Sequence, residues 1–456
     1  MNDLYGQVFR EMLYPVWESG LRQRPTLRHL RRLERTQWCS LDELKSLQEA
    51  ELSKLLAHAW SHVPHYQASF RRAGVEPGDI RALDDLSKLP LLTRQDAADL
   101  DARKSFAPPL PQIDKATSGT TGAPLVFGYD VGSEYWRQAI KLRGYVWAGY
   151  RPGDRSLHFW GSPTVRPPPL AKRVKASLDH FVRREHYVDC TERSEEQLGR
   201  VVQALRKHRP MALVCYAQAG AALARYINEN GSRDWADISV IAAAERLFPK
   251  DRDELVQAFG PRIFETYGNR EVMLIAAECE AHEGMHLSME NLIVELVVRR
   301  EGEPPRPALE GELGEVVVTD LHNYGAPFIR YVTGDQAVQC SAQRCACGRS
   351  LPRLARVEGR TTDTLRDGEG RAVSGLFFNV LFAALAHQVR EFQVVQRKDG
   401  AIDLKLVPTR LFEDGLLEQL RSHCDRHIPG VELRTQLVSQ LKPDRGGKLR
   451  VVAVES

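Results

Sequence analysis

Five short segments of the chain combine residue types that could do chemistry on an anionic ligand. In Thr117-Ser118-Gly119-Thr120-Thr121-Gly122-Ala123-Pro124, glycines let the backbone approach an anion and hydroxyls add donors for phosphate oxygens. No Gly-Lys-Ser/Thr follows, so this is not a Walker loop. The second segment, Tyr267-Gly268-Asn269-Arg270-Glu271, comes directly after the apolar pair Ile263-Phe264. A Glu at such a strand-to-loop junction, beside phosphates, can hold magnesium. In Tyr331-Val332-Thr333-Gly334-Asp335 a carboxylate at a glycine turn can accept both hydroxyls of a ribose. Gly359-Arg360-Thr361-Thr362-Asp363 is the fourth segment. The fifth, Arg445-Gly446-Gly447-Lys448, places a lysine on a glycine-rich loop from which it can reach another domain. Each segment alone reads as a turn or an exposed side chain; their order along one chain carries the signal.

A second constellation is built from thiols and imidazoles. Cys340, Cys345 and Cys347 lie within eight residues, and Cys279, His282 and His286 precede them by about sixty. These are the ligands zinc prefers, four to a closed structural site. Cys279 and His286 with Cys345 and Cys347 make a Cys₃His set that would join a β-rich region to the main body, with Cys340 and His282 as spare candidates. The competing reading is a group of incidental thiols. The set lies away from the phosphate-type segments themselves, which favours a structural role over a catalytic one. Cys39, Cys190, Cys215 and Cys424 are isolated and read as small hydrophobes.

The elements that must position these residues follow from periodicity. Residues 1–100 read as mostly helical: Leu52, Leu55, Leu56, Trp60 and Val63 recur at helical spacing, and Pro64 is expected to close that helix. From about residue 105, short apolar runs (156–159, 212–215, 240–243) alternate with helical stretches (195–207, 219–229), which argues an α/β core with several strands in one sheet. Residues 286–355 are β-rich and read as a β subdomain of the same body. The last hundred residues read as a small α+β unit: an apolar helix at 377–386, strands at 392–396 and 402–407 flanking Asp399-Gly400, a helix at 411–427, and strands near 431–438 and 449–454. The expected division is therefore a large N-terminal domain, 1–362, and a small mobile C-terminal domain, 363–456, that carries Lys448.

Composition excludes other classes. The chain has 456 residues, 43% hydrophobic and 27% charged, which suits a globular protein with a sizeable core. Lys plus Arg is 63 against 60 for Asp plus Glu, a net charge of +3, so nucleic-acid and membrane-surface partners are not expected. The arginines at 22, 24, 28, 31, 32 and 35 read as a solvated helix face. No run of about 18 apolar residues exists, the opening lacks the basic-then-apolar order of a secretion signal, and eight cysteines are too few for a disulfide scaffold. A cytoplasmic protein with reduced thiols is expected.

Taken in order, the segments resemble the adenylate-forming enzymes, the superfamily of acyl-CoA synthetases and related acid-activating ligases. More closely, the chain is similar to the phenylacetate–CoA ligase-like branch. The likeness begins at His58…Val63-Pro64-His65-Tyr66 and Leu89-Pro90-Leu91-Leu92-Thr93. It continues through Glu278-Cys279…Gly284-Met285-His286, the stretch from Pro327 to Asp335, Cys345-Ala346-Cys347-Gly348-Arg349, Gly359-Arg360 and Lys448.

The resemblance implies ATP and Mg²⁺ as cofactors. A carboxylic acid would be activated as an acyl-adenylate and passed most simply to the thiol of CoA, with an amine, a hydroxyl or a carrier protein as alternative acceptors. A non-catalytic nucleotide-binding module is the contrasting class, and retention of Thr120, Glu271, Asp335 and Lys448 argues against it. Ser118, Gly119, Thr120, Thr121 and Gly122 would cradle the β- and γ-phosphates, Glu271 would hold Mg²⁺, and Tyr267 with Gly268 would lie at the nucleotide. Asp335 would take the ribose hydroxyls, and Arg360 and Asp363 would form the hinge. Lys448 would bridge the substrate carboxylate and the α-phosphate. Some members of the branch carry zinc, which adds Zn²⁺ as a structural candidate, and a homodimer is among the expected states. Trp160, Tyr216, residues 242–244 and Tyr267 are candidates for the acid pocket, and the basic residues from Arg166 to Lys175 could meet CoA or a carrier protein. One departure stands out: Arg270 occupies a position where the superfamily usually has Thr.

Overall fold

The computed structural model describes residues 3–99, 112–116, 125–161, 170–191, 193–300, 303–340, 343–360, 364–370, 372–374, 378, 381–382, 385, 388–413, 415–443 and 449–455. The phosphate-type loop 117–124, residues 361–363, Lys448, Arg166 and most of the expected helix 377–386 lie outside the described residues.

The amino-terminal hundred residues are helical, as their periodicity requires. A 22-residue helix, Leu41–His62, starts at a capping box in which Ser40 Oγ accepts from Glu43 N–H and the Glu43 carboxylate accepts from Ser40 N–H. Its Leu52, Leu55, Leu56 and Ala59 are buried against Ile293, Leu321 and Ile329. Pro64 does more than close this helix. It opens the next one, Pro64–Ala73, because proline's fixed φ and missing N–H suit the first helical position.

The sequence-distant strands assemble around a hairpin and one large sheet. The hairpin pairs β1 (Gln112–Ala116) with β2 (Val126–Asp130), antiparallel, so residues 117–125 connect Ala116 and Val126 across its end. The sheet is twelve-stranded. Its parallel half is formed by β3 (Ser156–Trp160), β4 (Glu185–Asp189), β5 (Ala212–Tyr216), β6 (Ser239–Ala243) and β7 (Ile263–Asn269), in the order β4-β3-β5-β6-β7. Helices Glu195–His208, Ala217–Glu229 and Pro249–Phe259 supply the apolar cover for these strands, which are buried along most of their length.

After β7 the direction rule changes. The chain turns tightly into β8 (Met273–Glu278), antiparallel to β7, and continues through β9 (Met285–Leu287), β10 (Leu292–Val298), β11 (Arg306–Pro307), β12 (Leu313–Asp320), β13 (Tyr331–Gln339) and β14 (Arg353–Arg360). The order β7-β8-β9-β14-β13-β12-β10-β11 keeps the backbone ladder unbroken. The β-rich stretch 286–355 is thus no separate sheet: the β7–β8 turn joins it to the parallel strands.

Beyond residue 363 lie a small ribbon of β15 (Thr364–Arg366) with β16 (Ala372–Ser374) and a four-stranded sheet. The latter contains β17 (Val389–Gln396), β18 (Ile402–Pro408), β19 (Leu433–Leu437) and β20 (Val452–Val454), ordered β19-β18-β17-β20. Gly400 takes φ of +85° in the turn between β17 and β18, as Asp399-Gly400 led one to expect. The covering helix runs Gly415–His427, shorter at its start than 411–427, because residues 409–412 form a turn closed by Thr409. Val394, Leu404, Leu406, Leu416 and Leu420 form a core drawn wholly from residues after 363. Among the described residues, no helix is long and apolar enough to cross a membrane.

Leu404→Ala in this core should cost about 2–5 kcal/mol. In calorimetry, the loss should fall on one of two transitions if the C-terminal sheet is its own cooperative unit. A uniform shift of a single transition would contradict that division.

Candidate active site and a cysteine–histidine cluster

Tyr267, Gly268, Glu271 and Asp335 come together where the parallel and antiparallel halves of the sheet meet. β7 and β8 cross so closely at a bulge that a Cβ on Gly268 would lie 1.9 Å from the Met273 carbonyl oxygen. Only glycine fits there, which gives Gly268 a backbone reason for its identity. The turn that follows carries Arg270, which is exposed, and Glu271, which is buried. Glu271 Oε1 accepts from Tyr331 Oη at 3.3 Å and lies 3.8 Å from Arg94 Nη1.

Asp335 stands four residues further along β13 than Tyr331, hence on the same face. It is buried, its Oδ2 accepts from Tyr267 Oη at 2.8 Å, and its N–H donates to Thr333 Oγ1 at 3.1 Å. The Tyr267, Glu271 and Asp335 side chains are therefore linked through two tyrosine hydroxyls and strand β13. Arg360 lies opposite Asp335 in the β13–β14 register.

The segments flagged near the amino terminus hold this arrangement from the other side. Tyr66 Oη donates to the Pro327 carbonyl at 2.7 Å and accepts from Ile329 N–H at 3.1 Å. Leu92 exchanges backbone hydrogen bonds with Arg330 and Val332 at 2.9 Å, which brings Arg94 beside Glu271. Phe127 on β2 packs on Phe328, and Phe328 stacks on Tyr331, so a strand that frames the loop 117–124 shares a core with the Glu271 partner.

Sequence reasoning missed Arg137. It lies on the buried face of helix Val131–Trp147, in step with Ser133, Ile140, Gly144 and Trp147. Its Nη1 donates to the Glu271 carbonyl at 2.6 Å, Nη2 to Asp320 Oδ2 at 2.5 Å and Nε to Ser133 Oγ at 3.0 Å. Tyr129 of β2 covers the guanidinium at 4.3 Å. The available signal was a charge in register with an apolar helical stripe, where a buried partner is obligatory.

The acid-pocket candidates gather at the carboxyl ends of the parallel strands, where open α/β sheets bind ligands. Trp160 ends β3 and Tyr216 ends β5, their rings edge-on at 4.4 Å. Ala242 and Ala243 end β6 and are buried, and Ala244 follows with φ of +67°. One turn back on β7, burial and then the nearby Glu278 push the Glu265 carboxyl up from 4.5 to about 7, while Arg252 opposes them.

The cysteine–histidine cluster is also assembled. The ligand atoms of Cys279, His286, Cys345 and Cys347 lie within 4.8 Å of one another. Cys279 Sγ is 3.7 Å from Cys345 Sγ, and Cys347 Sγ is 3.3 Å from His286 Nε2. Tetrahedral zinc with Zn–S bonds of about 2.3 Å needs sulfurs roughly 3.8 Å apart, so this donor set fits the ion. His286 Nδ1 donates to the Leu351 carbonyl at 3.0 Å, leaving Nε2 to face the thiols. Arg349 N–H donates to Cys347 Sγ at 3.5 Å. The two spare candidates are directed elsewhere: Cys340 Sγ contacts the Glu283 carbonyl, and His282 packs on Phe264 with Nδ1 3.7 Å from Glu278. Cys190, Cys215 and Cys424 are buried in apolar cores, as isolated cysteines should be, and Cys39 is half-buried.

No model of a known protein family matches the chain. It is 27% identical to the phenylacetate-coenzyme A ligase of Thermus thermophilus, over 90% of this chain and 96% of that one. To the phenylacetate-coenzyme A ligase of Escherichia coli it is 29% identical, over 86% and 88%. Among solved structures, 2-hydroxyisobutyryl-CoA ligase in its postadenylation state matches with a TM-score of 0.69 at 18% identity, covering 92% of this chain and 91% of that one. The same ligase in its thioesterification state matches with a TM-score of 0.57 at 20% identity, over 92% and 91%. The fold is that of the adenylate-forming ligases. In sequence the chain is similar, at 27–29% identity, to phenylacetate-coenzyme A ligases.

The Glu265 geometry makes a pH prediction. With its folded pKa at about 7 against 4.5 unperturbed, the folded state keeps an extra proton between those values, and stability falls as pH rises through that window. Glu265→Gln should therefore raise the melting temperature at pH 8 by more than at pH 5. Equal shifts at both values would contradict the assignment.

Proposed function

We propose that the chain activates a carboxylic acid with ATP and Mg²⁺ as an acyl-adenylate and then transfers the acyl group to the thiol of CoA. The observation that carries this reading is that β13 meets the end of β7 through two hydrogen bonds, Tyr267 to Asp335 and Tyr331 to Glu271. The homologous Thermus and Escherichia proteins are phenylacetate-coenzyme A ligases, which makes an aryl-substituted acid the first to test.

In the first step a carboxylate oxygen attacks the α-phosphorus and pyrophosphate leaves. Ser118, Gly119, Thr120, Thr121 and Gly122 would hold the departing phosphates, with Glu271 as the Mg²⁺ carboxylate. Asp335, acceptor-only when ionised, would take the ribose hydroxyls, and Tyr267 would lie at the nucleotide. Lys448 would supply fixed positive charge where the substrate carboxylate and the α-phosphate meet. In the second step the thiol sulfur attacks the acyl carbon and AMP leaves. A turn of residues 363–456 about Arg360 and Asp363 would exchange the face presented to the site.

Lys448→Ala should lower acid-dependent pyrophosphate exchange by about 10²-fold or more while ATP binding changes little, because the large body makes most nucleotide contacts. Unchanged exchange would remove Lys448 from the mechanism. Product analysis with CoA, an amine or a carrier protein as acceptor decides the second step.

Zinc at Cys279, His286, Cys345 and Cys347 belongs to the same proposal, in a structural role. Purified protein should hold roughly one zinc per chain by elemental analysis, and Cys345→Ser with Cys347→Ser should lower both zinc content and melting temperature. Metal-free protein of full stability would leave the four as ordinary buried side chains.

A further inference from the structure

Among the described residues, two hydrogen-bonded contacts between the C-terminal unit and the large body run through one network. Glu245 follows the end of β6. Its Oε2 accepts from Gln218 N–H at 3.0 Å and its Oε1 accepts from Leu449 N–H at 2.5 Å. Gln218 Nε2 donates in turn to Asp251 Oδ2 at 3.0 Å. Asp251 pairs with Arg225 Nη1 at 3.1 Å, and Arg225 Nη2 reaches across to Glu391 Oε1 on β17 at 2.7 Å. Arg225 and Asp251 are buried, whereas the Glu391 side chain keeps 21% exposure.

This network is built to open. Breaking a buried pair is costly when it strands a charge. Here, withdrawal of Glu391 leaves Arg225 compensated by Asp251, and Glu391 passes into water. Withdrawal of Leu449 leaves Glu245 satisfied by Gln218 N–H. Neither contact orphans a buried ion when the C-terminal sheet departs. Leu449 is also the residue directly after Lys448, and Glu245 stands at the strand ends that line the proposed acid site.

We propose that Glu245, with the Arg225–Glu391 pair, is a latch that holds Leu449 and β17 against the large body for acyl-adenylate formation and releases before transfer to the thiol. This rests on the function proposed above. Glu245 and Glu391 are positioning residues, acting through the backbone of Leu449 and the placement of β17.

The test uses the full chain with phenylacetate as probe acid and two separate half-reactions: acid-dependent pyrophosphate exchange, and CoA-dependent consumption of preformed phenylacetyl-adenylate. Glu245→Ala should lower the first about tenfold and Glu391→Gln several-fold, with the second unchanged or faster. Glu245→Gln, which keeps an acceptor oxygen, should recover most of the exchange. Amide hydrogen exchange supplies a readout that needs no turnover: peptides from 449–455 should exchange about tenfold faster in Glu245→Ala than in wild type. An equal fall in both half-reactions, or unchanged amide exchange at 449–455, overturns the latch. If wild-type protein shows no pyrophosphate exchange with any acid, the functional reading fails and the amide exchange alone decides whether the contact holds residues 449–455.

Discussion

The guanidinium of Arg137 is the constraint on which the site depends. An arginine cannot shed its proton inside a protein, so burying one obliges the surroundings to supply a counter-charge and acceptors in fixed positions. Asp320 supplies the charge; burial pushes that carboxyl up from its ordinary value, and Arg137 opposes the shift. The remaining donors go to Ser133 on the same helix and to the backbone carbonyl of Glu271. One side chain thereby pins helix Val131–Trp147, the end of β12, the hairpin strand β2 and the β7–β8 turn to each other. The turn could not otherwise hold a buried carboxylate at a strand crossing where even a methyl group does not fit.

The same helix serves a second centre at its other end. Trp147 lies edge-on to His286 at 5.6 Å, and its Nε1 donates to Gln37 Oε1 at 2.8 Å. Gln37 Oε1 also accepts from Arg349 Nε at 3.1 Å, two residues past Cys347. The cysteine–histidine cluster thus fastens helix Thr26–Thr36, helix Val131–Trp147 and the β8–β9–β14 part of the sheet. Its distance along the helix from Arg137 separates the part that keeps the sheet in place from the part that faces chemistry.

The C-terminal sheet contrasts with both centres. Its core is its own, and the Arg225–Glu391 and Glu245–Leu449 links to the large body can open without leaving a buried charge uncompensated. The proposed turn of the small unit about a fixed nucleotide site would need contacts of these two kinds. Buried, over-determined ones belong where geometry must not change, and half-solvated ones where it must.

Much of the candidate site was legible in local sequence. Residue type and spacing singled out Tyr267, Glu271 and Asp335, the four members of the cysteine–histidine cluster, and the Asp399-Gly400 turn, because each signal is contained within a few residues or within a ligand set of restricted chemistry. Periodicity likewise marked the helices and the buried parallel strands. Tertiary structure alone decided that Arg137 is buried against the Glu271 turn, that Cys340 and His282 stand outside the cluster, that Glu245 reaches Leu449, and that residues 286–355 continue the main sheet. The physical reason is range. Arg137 meets partners 134 and 183 residues away, and Glu245 meets one 204 residues away, so no local pattern encodes the pairing. Strand alternation reports which face is buried but not which strand lies alongside, and that choice is made only when the whole apolar surface and every buried charge are satisfied together.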